Sequence, residues 1–514
     1  MGGAVVNTVN YADVQGLVRF GFVAMTEACY VLVKIKNAAA ARTWLSGASE
    51  RVTTAVERKP APPAALQIAF TRGGLEALQV PGNVVAGFSS EFLGGMTGDG
   101  NRSRRLGDTG TNSPKDWEWG AGLKTPDAVV MLFAEPGKLE AWRAQIENGS
   151  WGAAFEEIQR LTPSDIGGRE PFGFIDGTSQ PDLDWDQARK VSANRDQLSY
   201  GNVVCLGEFL LGYSNEYGRF TDRPVLGAGD HGSEELDSAS DRPGKDLGKN
   251  GTYLVIRQLQ QDVRGFWQFL DKAAGGNRQA RYQLAEAMVG RRIEDGAPLV
   301  PLIDRSIPGV GTGANPAKRK MDVENNQFTY DSDAMGIRCP LGAHIRRGNP
   351  RTPDIQGNPT GIISHLIRLL GFGNPNFRGD LVASTRFHRL LRRGREYGPK
   401  LTPEEALQPA FSGDPQRGLH FVAINANIQR QFEFVQNAWI MRTKFNGLSE
   451  ESDPLLGNRE AVPGCPFTDA FSLPQENSVG RRILDIPQFV TVRGGAYFFL
   501  PGIRALKYLS KAGG

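Results

Sequence analysis

An apolar strand followed closely by an amphipathic helix recurs along this chain, in its first half and again in its second. That repetition limits the open folds more than any other feature. The first instance is a strand from Cys29 to Ile35 with a helix over Ala38 to Val56. Ala65 to Phe70 leads into a short helix from Gly73 to Leu78, and Ala128 to Ala134 into Gly137 to Ile146. Pro60, Pro62, Pro63 and Pro81 separate the early units. In the second half, Tyr253 to Arg257 reads as a strand, and the next helix carries Val263, Phe266, Trp267 and Leu270 at i, i+3, i+4 and i+7. Leu419 to Ile424 and Gly495 to Leu500 read as further strands, with a helix between them burying Ile428, Phe432, Val435 and Trp439. Units spread this way describe an α/β or α+β chain of two similar domains. The Gly/Asp/Ser-rich stretch from Gly227 to Asn250 is the expected linker, dividing the chain into domains over 1–238 and 239–514. Long loops are expected at Gly94 to Lys124 and Pro301 to Asp322.

A length of 514 residues exceeds one ordinary core and suits two domains. A formal net charge of +3 gives no support to nucleic-acid binding, which needs a clustered basic face. Cys29, Cys205, Cys339 and Cys465 lie far apart without a Cys-x-x-Cys pair, which disfavours zinc ribbons and covalent haem attachment. So sparse a set also argues against a disulfide-built secreted fold. The first residues lack the pattern of a signal peptide, and no apolar run is long enough to span a bilayer. A cytoplasmic protein with no membrane partner is the expectation.

Three stretches carry candidate chemistry. Cys339-Pro-Leu-Gly-Ala-His-Ile-Arg-Arg-Gly-Asn-Pro-Arg351 sets His344, one of five histidines in the chain, among Arg346, Arg347 and Arg351. A histidine beside arginines suits a metal cofactor with anionic arms; the bland reading is a basic surface loop. Gly173-Phe-Ile-Asp-Gly177 places Asp176 on a tight turn where burial and nearby arginine can tune its proton affinity, although Asp-Gly is above all a turn pair. Phe387 to Gly398 repeats arginines before a glycine: a helix C-terminus, or a guanidinium aimed into a pocket. The glycines of Gly309 to Gly313 lack the lysine of a phosphate loop.

Together these stretches resemble the dye-decolourising peroxidase family, in particular its longer bacterial and fungal-like branches. Gly173 to Gly177 is similar to its Gly-x-x-Asp-Gly motif, Cys339 to Arg351 to its proximal-histidine segment, and Leu391 to Gly398 to its distal-arginine segment. Gly94 to Asp108, Leu211 to Gly218, Gln431 to Gln436 and Val490 to Leu500 resemble family segments in the family's order. The resemblance implies an α+β fold of two ferredoxin-like domains with haem between them. It implies one non-covalent haem b per chain, with His344 as the iron ligand and Arg351 meeting a propionate. Asp176 becomes the distal acid–base residue and Arg392 the distal arginine, with neighbouring Arg393 the other choice. Leu419 and Phe421 line the distal face, Asp453 stands behind the histidine, and Tyr397 falls where some members carry a surface radical-forming tyrosine. The segment from Gly361 to Ser384, with His365, is extra relative to shorter members.

The implied activity is oxidation of anthraquinone dyes, phenols and similar aromatic electron donors by hydrogen peroxide. The alternative is a haem storage or transfer protein with incidental peroxidase activity.

Overall fold

The structure is a computed structural model that describes residues 8–188, 202–302, 324–351, 385–462 and 464–513. Four strands open the chain: β1 (Glu27–Ile35), β2 (Ala64–Phe70), β3 (Ala128–Ala134) and β4 (Phe155–Leu161), with helices α1 (Ala38–Ser49) after β1 and α2 (Leu139–Ile146) after β3. They lie antiparallel in the order β4-β1-β3-β2. The second half repeats that connectivity. β5 (Thr252–Gln261) leads through α3 (Val263–Ala273) and α4 (Arg278–Val289) to β6 (Leu391–Arg392), β7 (Arg395–Tyr397) and β8 (Gly418–Asn425). A wide-turned helical crossover then reaches β9 (Val490–Leu500), and the order is β9-β5-β8-β6, with β7 also on β8. Each half is a ferredoxin-like βαββαβ unit.

The units join edge to edge through β2 and β9, at the single pair Phe70 and Phe499, so that one sheet of nine strands runs through the described residues. Both faces of this sheet are covered. In β1, Cys29, Val31 and Val33 point into one core layer, while Ala28, Tyr30 and Leu32 point into the other. That explains strands that read as continuous apolar runs. Helix ends follow local chemistry: Asn37 caps α1 by accepting from Ala40 N–H, and Asp262 caps α3 by accepting from Gly265 N–H. The α3 stripe of Val263, Phe266, Trp267 and Leu270 is buried as its spacing predicts. A last helix, α5 (Ile503–Lys511), returns to pack on α1.

The expected linker and one of the expected loops are ordered structure. Gly227 to Asn250 is no loose linker: Leu236, Leu247, Asp246 and Asn250 are buried, and Asp246 accepts from the buried Arg223 guanidinium at 2.7 Å. Its glycines and aspartates serve tight turns around that ion pair. Gly94 to Lys124 carries a helix over Gly100–Leu106 and three short helical turns. The Gly309 to Gly313 stretch, nearly all of Pro301 to Asp322, and the segment from Gly361 to Ser384 with His365 lie outside the described residues. Among the described residues no helix is long and apolar enough to cross a membrane.

Candidate active site

A cavity of about 250 Å³ opens on the helix-covered face of the second unit's sheet. Because alternate strand residues share a face, Leu259 and Gln261 of β5 and Leu419 and Phe421 of β8 form its floor. The first half contributes Leu106, Asn112 and the loop from Glu170 to Pro181.

That loop presents Asp176. Gly173 and Gly177 adopt φ of +108° and +81°, where a side chain would be strained. Glu170 closes the turn: its carboxylate accepts from Phe172 N–H (3.0 Å), Phe174 N–H (2.9 Å) and Gln261 Nε2 (2.8 Å). Arg392, on β6, donates through Nη1 to Asp176 Oδ1 at 3.1 Å. The Asp176 carboxylate opens on the cavity rather than on bulk solvent, so desolvation pushes its pKa up. Arg392, the Gly177 N–H and the nearby His344 outweigh this and hold it below the ordinary carboxylate range. Glu170 in the same cavity goes the other way, pushed by burial to about 7. Two carboxylates with opposed proton affinities therefore line one chamber.

His344 begins a short helix, His344–Gly348, on the cavity wall. Its Nδ1 bonds Asp453 Oδ2 at 2.9 Å. Asp453 is fully buried, and its Oδ1 accepts from Leu455 N–H (2.9 Å) and Leu456 N–H (2.8 Å). Burial lowers the His344 pKa, but the Asp453 carboxylate more than offsets it and the net shift is upward. With Nδ1 engaged, Nε2 is the nitrogen left for a metal. Arg346 and Arg347, part of the basic cluster in the sequence, are engaged within the protein instead, Arg346 also pairing with the buried Asp333 carboxylate at 3.1 Å. Arg346 holds Cys339 O at 2.7 Å, and Arg347 holds Trp439 O at 2.9 Å and Glu451 O at 2.7 Å.

Arg392 and Arg393 point to opposite sides of the sheet. Arg393 donates to Leu17 O (2.9 Å) and Val18 O (3.0 Å), so Arg392 is the one beside the cavity. Arg351 is 1 % exposed and is not part of the cavity wall. It donates to Asn326 O (2.6 Å), Phe328 O (2.8 Å) and Ser179 Oγ (3.1 Å). Arg291, which sequence reasoning missed, shares Ser179 with it at 2.7 Å and does line the cavity. Among the described residues no carboxylate pairs with Arg291, and burial beside Arg351 lowers its pKa to about 10. Nothing in Gly290-Arg-Arg-Ile293 marks it in the sequence. His388 also lines the cavity, stacked on Phe434 at 3.6 Å. Tyr397, expected at the surface, is a correction: it is only 8 % exposed and stacks on His420 at 4.6 Å. Gly418 is its cross-strand partner, and a Cβ there would sit 2.7 Å from the ring. The tyrosine folds into the space that glycine leaves.

These residues fit haem. One imidazole is oriented by a carboxylate, the acid–arginine pair opens on the same chamber, and a buried cation that pairs with no carboxylate among the described residues lies at its edge. Such a site, on paired ferredoxin-like units, defines a haem peroxidase. No family model matches the chain. A multifunctional dye peroxidase from an Amycolatopsis species is 30 % identical over 410 residues, covering 77 % of this chain and 73 % of that protein. The dye-decolorizing peroxidase msp1 of Mycetinis scorodonius is 28 % identical over 529 residues, covering 97 % and 87 %. A solved dye-decolorizing peroxidase with an engineered haem pocket superposes with a TM-score of 0.69 at 26 % identity, covering 98 % of this chain and all of that one. The chain belongs to the dye-decolourising peroxidase family and is a haem-dependent peroxidase. The storage-or-transfer alternative finds no support in these relatives.

Proposed function

We propose that the chain binds one haem b non-covalently, with His344 Nε2 as the iron ligand, and uses hydrogen peroxide to oxidise phenols, anthraquinone dyes and similar aromatic donors. The observation that carries this reading is the Asp176–Arg392 pair opening on the same cavity as the His344–Asp453 pair. When bound, haem supplies the redox-active iron at which peroxide is activated. Asp176, ionised because Arg392 and Gly177 N–H favour its charge, accepts a proton from the near oxygen of peroxide and returns it to the departing oxygen. Arg392 stabilises negative charge on that oxygen. Asp453 keeps Nδ1 of His344 protonated and the ring oriented, which makes Nε2 a stronger donor. Leu419 and Phe421 shield the distal floor from water, and Arg291 with neighbouring Arg351 supplies positive charge for a propionate. The free, buried cysteines support both non-covalent binding and a cytoplasmic setting. A division near residues 238 and 239 is consistent with β5 opening the second unit, although α5 packs back on the first.

The test is the visible spectrum of the full chain with added hemin, before and after one equivalent of peroxide. A Soret band that peroxide shifts and a phenol restores is expected, with the shift slowed in Asp176→Asn. A band that forms equally well in His344→Ala and is indifferent to peroxide would overturn the assignment.

A further inference from the structure

Two tyrosines lie close to the cavity, and their surroundings differ. Tyr330 lines it directly, but among the described residues its hydroxyl has no hydrogen-bond partner, and the Arg346 guanidinium sits over its ring at 4.4 Å. That guanidinium is paired with the buried Asp333 at 3.1 Å, and among the described residues no base is hydrogen-bonded to the phenol to take its proton on oxidation. Tyr497 of β9 lies one ring further back, its centroid 6.2 Å from Phe432, which lines the cavity and is itself 6.3 Å from Phe421. It is 2 % exposed and donates its hydroxyl hydrogen to Glu433 Oε1 at 3.0 Å. Glu433 belongs to the wide-turned crossover and is 5 % exposed. Arg102 holds it at 2.8 Å, and Arg105, half open to solvent, lies at 3.6 Å. Burial raises its proton affinity despite Arg102, so it is a better base than an ordinary carboxylate.

We infer that Tyr497 is a redox-active residue of this peroxidase, the place where an oxidising equivalent from peroxide rests on the protein, with Glu433 as its proton acceptor. The inference rests on the haem peroxidase reading of the cavity. An electron leaves the Tyr497 ring for the cofactor once peroxide has oxidised it. The phenolic O–H bond breaks as an O–H bond forms on Glu433, leaving a neutral tyrosyl radical and a neutral carboxylic acid. An aromatic donor later returns the electron through the same cofactor, and the proton moves back. Keeping the proton within one hydrogen bond avoids a buried charged radical. Arg102 and Arg105 hold Glu433 in place for the return.

The experiment mixes the haem-loaded full chain with peroxide, freezes it within milliseconds and records its electron paramagnetic resonance. Protein grown on ring-deuterated tyrosine should show a collapsed hyperfine pattern, which assigns the radical to tyrosine. Tyr497→Phe should lose most of that signal, at least about fivefold, with the Soret band unmoved. In unsubstituted protein the radical should carry a coupling to one exchangeable proton, removed in deuterium oxide and in Glu433→Leu, which has no exchangeable side-chain hydrogen. This readout holds even if Tyr497→Phe fails to fold. A tyrosyl signal that survives the substitution, a signal assigned to tryptophan, or no exchangeable coupling overturns the inference while leaving the haem reading intact. Absence of a Soret band in the unsubstituted protein overturns both.

Discussion

The two ferredoxin-like units share one strand order, yet among the described residues the helix-covered face is filled in the first and looks onto a cavity in the second. In the first, Cys29, Val31 and Val33 of β1, Leu66 and Ile68 of β2 and Val130 and Leu132 of β3 lie under α1 and α2. Ala41, Trp44, Leu45 and Ile146 fill that layer, and Trp44 packs edge-on to Phe155 at 5.1 Å. In the second, the same sheet face carries Arg257 and Gln261 beside Leu259, Leu419 and Phe421, and looks onto the cavity. The difference lies in what crosses over the sheet. The first unit uses the ordinary helix α2, whereas the second uses the wide turns of Gln429–Glu433 and Val435–Ile440 and admits the segment bearing His344. Wide-turned helix is uncommon and tends to mark functional positions, because an extra residue per turn displaces side chains from the regular stripe. One fold thus yields a scaffold where its face is filled and a site where that face is held apart.

The largest effect that would sharpen this contrast is at Asp176. Asp176→Asn keeps the shape of the loop but removes the base, so the second-order rate with peroxide should fall by about 10²- to 10⁴-fold with little loss of thermal stability. Stopped-flow absorbance checks it; a fall under tenfold would move the acid–base role elsewhere, with Glu170 the next residue to examine. Next comes the closed unit. Leu66→Ala, at a position with no exposure, should cost about 2–5 kcal/mol in denaturant unfolding while the peroxide rate per haem-loaded molecule stays the same. A matching loss of rate would show that the units cannot be separated in this way.

Much of the scaffold was legible and less of the site. β3 runs from Ala128 to Ala134 as its apolar run indicates, and the α3 stripe is buried as spaced, because periodicity reports directly on which side chains meet a core. Asp176 and His344 stand in motifs, so resemblance picked them out. Their neighbours depended on register and tertiary packing. Arg392 ends β6 and Arg393 follows it directly, yet one reaches Asp176 and the other the Leu17 and Val18 carbonyls, which no local pattern decides. Arg291 reaches the cavity only because α4 ends at a glycine with φ of +96°, and Tyr397 is inside because a glycine 21 residues later leaves room. Gly227 to Asn250 misled for a related reason: the residues of a flexible linker are also those of tight turns around a buried ion pair.

A middle-sized effect tests how the wall bearing His344 serves the open unit. Asp453→Asn leaves the Leu455 and Leu456 N–H groups an acceptor but takes the charge from behind His344. Haem affinity or the peroxide rate should drop about 10- to 100-fold, with a shifted reduction potential by spectroelectrochemistry. No change in either would mean that His344 needs no carboxylate.

The smallest expected effect is on pH dependence, and it bears on why the acid and the arginine stand together. The folded pKa of Asp176 lies below its ordinary value, so the working ionised form persists above that pKa and is lost as pH falls through it. The acid limb of the peroxide rate should therefore lie below pH ~3.9, the unperturbed value for aspartate. Arg392→Gln removes the nearby cation, although burial and the Gly177 N–H remain. The limb in that variant should move up by at least about one pH unit, on top of its lower rate, because an arginine beside an aspartate commonly lowers its pKa by that much. Rate measurements from pH 3 to 8, with haem occupancy followed by the Soret band at each point, separate loss of the base from loss of the cofactor. A limb that stays put would mean that Arg392 acts only on the departing oxygen and that the other groups in the open unit set the charge of Asp176.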